Sequence, residues 1–369
     1  MCHPGTDAAP GYGRQKSSSL NIHVGVSLRV LIVKTSSFGD LIHTLPAVTD
    51  AVKAMPGITF DWVAEEAFVE VPGWHPAVAD TIPIALRRWR KNWRRAVASG
   101  ELSAFFGRLR AHEYDFVIDA QGLLIKSALI ARLAKGSCHG LSWGAAREPA
   151  ASLLYSHRHA IARSQHAIER IRQLFAEVLG YSYDPLRLDY GIGSAHLPSP
   201  LDDAGYWVFL HGTTWPTKRL ADEQWIALGN IAAAQGHSIY LPWGNAAEKR
   251  TAEIIATHCS NARVLPRLSL TELAGILTQA RGVIGVDTGL AHLGAALDIP
   301  GVTLYSVTFP ALTGARGKRQ CCVVLGSAPV PSGDMPGLRV ASAPVFDAEL
   351  VWRTAVTALE LAGDAEDVG

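Results

Sequence analysis

The stretch from Leu28 to Val52, LRVLIVKTSSFGDLIHTLPAVTDAV, constrains the fold more than any other part of the chain. Leu28 to Val33 is an unbroken apolar run of strand length, the kind buried on both faces at the centre of a parallel sheet. Thr35, Ser36, Ser37 and Gly39 form a small polar turn after it. Leu41, Leu45, Val48 and Val52 then recur at helical spacing, which predicts a helix with its apolar stripe on the sheet. Pro46 falls close to the start of that helix, where a missing N–H does least harm, or else kinks it. A strand, a small-residue turn and a helix N-terminus make a pocket for an anion or a sugar. Asp40 stands at the mouth of that turn, and on spacing alone it is as good a helix N-cap as a functional carboxylate.

The βα pattern continues and then restarts. Ile58 to Val63 reads as a second strand, followed by Glu65 and Glu66, and Tyr114 to Ala120 as a third. Ser164 to Leu179 reads as a helix, on which His166 is a packed or surface residue rather than a ligand. Gly191 to Asp203, GIGSAHLPSPLDD, has the composition of a linker. Beyond it Tyr206 to His211, His237 to Leu241, Val283 to Val286 and Gly301 to Tyr305 read as strands. Asp222 caps a helix reaching Ala234, Ser269 and Glu272 form a capping box, and Asp347 opens a last helix. At 369 residues the chain is long for one domain. Strands alternating with helices in both halves predict an α/β protein of two Rossmann-like domains facing across a cleft. The expected limits are 27–195 and 203–346, with a C-terminal helix and tail over 347–369.

Ile84 to Val97, IALRRWRKNWRRAV, is the most unusual segment. It holds Arg87, Arg88, Arg90, Lys91, Arg94 and Arg95, and no acid lies between Thr81 and Gly100. Leu86, Trp89, Trp93 and Val97 are spaced to share one helical face. A charge run is ordinarily a solvated helix face. Unbalanced cations interleaved with two Trp favour a membrane surface or a multiply anionic ligand instead.

The second half carries two candidate phosphate cradles. Thr213 and Thr214 with Lys218 follow a strand, and two hydroxyls with a mobile ammonium suit a diphosphate. Asp287-Thr288-Gly289 runs from a strand into a helix, whose free N–H groups and dipole favour a phosphate. Each is weak alone; together they suggest a nucleoside diphosphate at the carboxyl ends of a sheet. Glu248 suits a ribose diol but reads equally as an exposed helix carboxylate.

Other classes fall away. A net charge of +1 excludes a generally basic nucleic-acid binder. There is no Walker lysine loop, zinc spacing, GxSxG elbow or full GxGxxG. No apolar run reaches the ~18 residues needed to span a bilayer. Five cysteines, an odd number without metal-ligand spacing, read as free thiols of a reducing compartment. Residues 1–26 lack an apolar signal core and read as a disordered extension, or as the result of a start codon placed too early.

VLIVKTSSFGDLIHTLP, RRWRKNW, DAQGL followed by KSA, AREPAASLLY and VDTGLAHLGAAL together resemble the lipopolysaccharide heptosyltransferase I family, over roughly Leu28 to Leu361. The resemblance implies a GT-B fold whose last helix crosses back to the first domain. It also implies inverting transfer of L-glycero-D-manno-heptose from ADP-heptose to Kdo on Kdo2-lipid A. The expected cofactors are none and the expected metal is none. The setting implied is peripheral, on the anionic cytoplasmic face of the inner membrane. By the match, Asp40 is the general base, with Ser37 and Gly39 beside it on the acceptor side. Lys218, Thr213 and Thr214 meet the donor phosphates, Glu248 the ribose, and Leu268 stands where adenine stacks. Asp287 meets the heptose, Thr288 and Gly289 the diphosphate, with His292 close by. Arg87, Arg90 and Lys91 meet the acceptor, and Arg147 its sugar acids. Ser306-Val307-Thr308-Phe309-Pro310 departs from the family's Gly-Pro-Thr-Asp-Pro, and Trp215-Pro216-Thr217 from a more polar, acidic run. A sibling adding a later heptose, or a non-catalytic nucleotide-sugar or lipid A binder, are the competing readings.

Overall fold

A computed structural model describes residues 28–193, 197–201, 204–326 and 339–366. The extension expected over 1–26, part of the linker and the tail at 367–369 lie outside the described residues.

Two parallel sheets organise the chain. The first is built from β1 (Arg29–Val33), β2 (Thr59–Glu65), β3 (Val78–Ile84), β4 (Tyr114–Asp119), β5 (Gly136–Leu141) and β6 (His157–His159), in the order β3-β2-β1-β4-β5-β6. The second uses β7 (Trp207–Leu210), β8 (Ile239–Leu241), β9 (Ala262–Val264), β10 (Gly282–Val286), β11 (Gly301–Tyr305), β12 (Gln320–Leu325) and β13 (Arg339–Ala343), in the order β13-β12-β11-β10-β7-β8-β9. Every pairing is parallel. The winding reverses between β1 and β4 in one sheet and between β7 and β10 in the other. Ligand crevices of such sheets open at those switch points, beyond the carboxyl ends of the strands. The α/β two-domain expectation is thus met. Val30 to Val33 are wholly buried, as their apolar run requires.

Local departures have physical causes. The first helix is broken into Phe38–Ile42 and Leu45–Ala54. Pro46 has no N–H to bond the carbonyl of Ile42, so the chain turns at His43 and Thr44. Asp40 is the third residue of the first of these helices, not its N-cap; Ser37 holds that position. Asp222 is likewise the first residue of its helix, with Ala221 at the cap and Gln224 bonding back to it. The basic segment bends at Asn92 between helices Leu86–Lys91 and Trp93–Ala98. Its single apolar face does not form: Leu86 and Trp89 pack inward, while Trp93 and Val97 are 61% and 56% exposed. The last helix, Ala348–Glu366, buries Val351, Trp352, Ala355 and Ala358 against the second sheet. That stripe packs on β10, β11 and β12 and on helix Asp222–Ala234 of the second domain.

The domains share one apolar core, running from Val30, Ile32 and Trp62 through Leu197 to Val208 and Leu293. Hydrogen bonds cross between them: the Trp74 indole donates to Thr271 at 3.1 Å, the Tyr190 hydroxyl to the Arg316 carbonyl at 2.7 Å, and the Thr271 amide to Glu70 at 2.8 Å.

Candidate active site

The turn after β1 sets the first wall. The backbone amide and hydroxyl of Ser37 both donate to Asp40 Oδ2 at 2.8 Å. Asp40 Oδ1 accepts no hydrogen bond among the described residues and lies 3.8 Å from Lys34 Nζ. Lys34, 6% exposed, donates to the Ala120 carbonyl at 3.0 Å. Burial pushes the Asp40 carboxyl up; the Lys34 charge, the two bonds from Ser37 and the charge of Arg147 outweigh it and hold Asp40 below its ordinary value. Burial pulls Lys34 down, against the raising charges of Asp40 and Asp119. Gln121 clamps the turn by accepting from the Thr35 amide and hydroxyl at 2.7 and 2.9 Å.

The second wall is built from the loop after β7 and the turn after β10. Asp287 Oδ2 accepts from Lys218 Nζ at 2.6 Å and from the Thr308 hydroxyl at 2.6 Å. Its Oδ1 lies 3.6 Å from His292 Nε2. Burial raises Asp287, but His292, Lys218 and Thr308 together hold it well below the carboxylate range. Helix Gly289–Ala296 begins two residues later, after Thr288 at its N-cap, and its first N–H groups are free for an anion. Glu248 is the third residue of helix Ala246–His258 and accepts from the Gly244 amide at 2.7 Å.

A cavity of about 780 Å³ lies between the walls. Ser37, Gly39, Asp40, Arg87 and Arg147 line it from the first domain. Thr213, Thr214, Lys218 and Leu268 line it from the second domain between β7 and β10, Glu248 from the first turn of helix Ala246–His258, and Asp287, Thr288, Gly289 and His292 from the turn and helix after β10. Arg90 and Lys91 are not among its lining; they sit exposed on helix Leu86–Lys91. The basic run is also less unbalanced than its own stretch suggests, because Arg88 pairs with Glu66 at 3.0 Å and Glu101 at 2.6 Å. Arg147 makes no pair with Glu148, which instead accepts from the Leu124 amide.

Sequence reasoning passed over Lys34, His43 and Thr308. A lysine closing a wholly apolar strand is rarely buried without a partner, and that was the available signal. Thr308 belongs to the loop that departs from the family pattern, and its hydroxyl reaches Asp287 directly. No grouping of His, Cys, Asp and Glu suited to a metal occurs among the described residues.

Two doubly wound domains, with a carboxylate on one wall of the cleft and an anion cradle on the other, define a two-domain nucleotide-binding protein whose cleft pairs a basic oxygen with a diphosphate site. The profile of glycosyltransferase family 9 (heptosyltransferase) matches residues 102–336. Lipopolysaccharide heptosyltransferase 1 of Escherichia coli (strain K12) is 51% identical over 294 residues, 79% of this chain and 92% of that protein. The protein of the same name from Pseudomonas aeruginosa is 51% identical over 300 residues, 81% and 84%. Among solved structures, E. coli heptosyltransferase WaaC with ADP superposes with a TM-score of 0.80 at 45% identity, covering 90% of this chain and all of that one. The same enzyme with ADP-2-deoxy-2-fluoro heptose gives 0.74 over 92% and all. The chain belongs to glycosyltransferase family 9. It is a heptosyltransferase of lipopolysaccharide inner-core biosynthesis.

Proposed function

We propose that this enzyme moves L-glycero-D-manno-heptose from ADP-L-glycero-D-manno-heptose to a Kdo hydroxyl of Kdo2-lipid A, inverting the anomeric carbon. One observation carries the reading: Asp40 and the anion-cradling groups line one cavity from opposite domains. Asp40 Oδ1 takes the proton of the attacking hydroxyl. The oxygen bonds the anomeric carbon from the first-domain side, and the bond to the diphosphate breaks on the other. The electron pair leaves with ADP, whose growing charge meets Lys218, Thr213, Thr214 and the N–H groups at Thr288 and Gly289. Glu248 holds the ribose and Leu268 packs on the adenine. Arg87 and Arg147 meet the acid groups of the acceptor. The ADP and ADP-heptose analogue in the E. coli enzyme support a nucleotide-heptose donor. The 27–195 half is then the acceptor domain and 203–346 the donor domain.

The acceptor's lipid sets a second part of the reading, docking of the first domain on an anionic membrane at the cytoplasmic face of the inner membrane. No helix among the described residues is long and apolar enough to cross a membrane. Helix Glu101–Leu109 and the segments Leu124–Leu133 and Pro149–Leu154 cover the same face of the first sheet. Their outer side and the adjoining basic helices expose Trp93, Val97, Ile125, Leu129 and Leu153 beside Arg90, Lys91, Arg94, Arg95, Lys126 and Arg132.

The test is turnover of ADP-heptose on Kdo2-lipid A with the product's anomeric configuration read by NMR. Hydrolysis without transfer, or retention, overturns the proposal.

A further inference from the structure

The floor of the cleft holds histidines to which the proposed reaction assigns no step. His43, 4% exposed, sits where the first helix breaks, and its Nε2 is 3.1 Å from Nδ1 of His292 on the donor helix. The rings meet edge to face with centroids 4.5 Å apart. His43 Nδ1 is buried and has no hydrogen-bond partner. The contact crosses the domain boundary, and the two walls also approach closely beside it: a Cβ on Gly39 would stand 2.7 Å from His292 Cδ2.

The surroundings select one arrangement of protons. His292 Nε2 faces the Asp287 carboxylate at 3.6 Å. A bare lone pair there would face a negative charge, so Nε2 carries the hydrogen. With the hydrogen on Nε2, Nδ1 is the nitrogen of His292 left to accept, and the donor in reach is His43 Nε2–H. His43 Nδ1 is consequently the bare nitrogen, an unpaired acceptor rather than a stranded N–H. The other groups facing the pair agree. His166 packs edge-on to His43 with centroids at 5.6 Å, and its Nε2 lies 3.0 Å from the Gly314 carbonyl, so it donates there. Lys34 and Arg316 also face His43, while Lys218 holds Asp287 from the far side. Burial first, then the neighbouring imidazoles of His292 and His166 and the charges of Lys34 and Arg316, push His43 well below the ordinary imidazole value, keeping it neutral.

We propose that His43 is a positioning residue for the donor site: by donating from Nε2 to His292 Nδ1 it fixes the ring that faces Asp287 and the diphosphate cradle. The helix carrying Asp40 is thereby tied to the helix that receives the leaving group. The inference rests on the donor reading of this site.

Two variants test it, His43→Gln, whose amide can donate at the same reach, and His43→Met, which keeps volume without a donor. ADP affinity is measured by calorimetry, donor kcat/KM by turnover, and ring tautomers by 15N NMR of the histidines. The Gln variant is expected within threefold of wild type. The Met variant should lose about tenfold in donor kcat/KM, the worth of one positioned hydrogen bond, with a melting temperature close to wild type. Wild-type spectra should show His292 with Nε2 protonated and Nδ1 bare, and the Met variant should lose that signature. Equal impairment of both variants would make His43 a packing residue and overturn the proposal, as would a Met variant with wild-type donor kinetics. The tautomer readout needs no ligand. Failure of wild type to bind ADP would therefore overturn the donor reading, while the wrong tautomer would overturn this one.

Discussion

At the scale of single residues, the cleft is a set of charges held ready by neighbours. Asp40 has one oxygen occupied by Ser37 and one left toward the cavity. Asp40→Asn keeps the size of the side chain and an acceptor for Ser37. A fall in kcat of about 10²–10⁴-fold is expected, the contribution of a positioned base, with ADP affinity and melting temperature little changed. Turnover within a few-fold of wild type would remove Asp40 as base. The pH dependence follows from the sign of its shift. A carboxyl held below its ordinary value stays ionised until the pH falls past that lowered value, so the acid limb due to Asp40 lies below that of an ordinary aspartate. Lys34→Met removes the largest lowering influence and leaves burial opposed only by the Ser37 bonds and the Arg147 charge. The acid limb of kcat/KM should then move to higher pH; an unmoved limb would disconnect Lys34 from Asp40. Lys218→Ala should weaken ADP by about 1.5–3 kcal/mol, the worth of a hydrogen bond to a charged group. Calorimetry reads this directly, and unchanged affinity would leave Lys218 only as the partner of Asp287.

At the scale of elements, the central strands were legible and the flanking ones were not. β1, β2, β4, β7, β8, β10 and β11 show as apolar runs because helices cover both faces of the sheet there. β3, β5, β6, β9 and β13 lie toward the sheet edges, and burial is mixed in β3, β9 and β13. The buried β12 escaped for a different reason: its run opens on Gln320-Cys321-Cys322. The cavity wall was legible wherever a strand runs into a polar turn, at Asp40, Thr213 and Asp287. Residues brought in from a distance, such as Thr308, left no local mark. Close approach between elements was also invisible, yet it decides how the two walls meet. A Cβ on Gly289 would stand 2.4 Å from Phe38 Cδ1. Phe38 cannot easily yield, being 9% exposed and packed near Phe68 and Trp74. Gly289→Ala should therefore destabilise by about 1–3 kcal/mol, as overpacking does. A denaturation midpoint equal to wild type would show that Phe38 has room to move.

At the scale of the whole molecule, charge and apolar surface are distributed unevenly although the net charge is only +1. Ile125, Leu129 and Leu133 recur every four residues, so they form one outward stripe, with Leu153 on the neighbouring 3₁₀ segment. Arg90, Lys91, Arg94 and Arg95 have no carboxylate within ion-pair distance among the described residues, unlike Arg88. Cations flanking apolar side chains are what an anionic bilayer attracts and then buries. The two contributions separate by experiment. Vesicles containing phosphatidylglycerol should float the wild-type protein, and phosphatidylcholine vesicles should float it poorly. Replacing Arg90, Lys91, Arg94 and Arg95 by Ser should weaken binding by about 1 kcal/mol per cation and reduce its salt dependence. Replacing Ile125, Leu129 and Leu153 by Ser should weaken binding at every salt concentration, because burial of apolar area is not screened. Turnover of a water-soluble Kdo acceptor should survive both sets, since none of these residues lines the cavity. A triple Ser variant at 125, 129 and 153 that floats like wild type would make the stripe ordinary surface and leave the cations as the whole of the attraction.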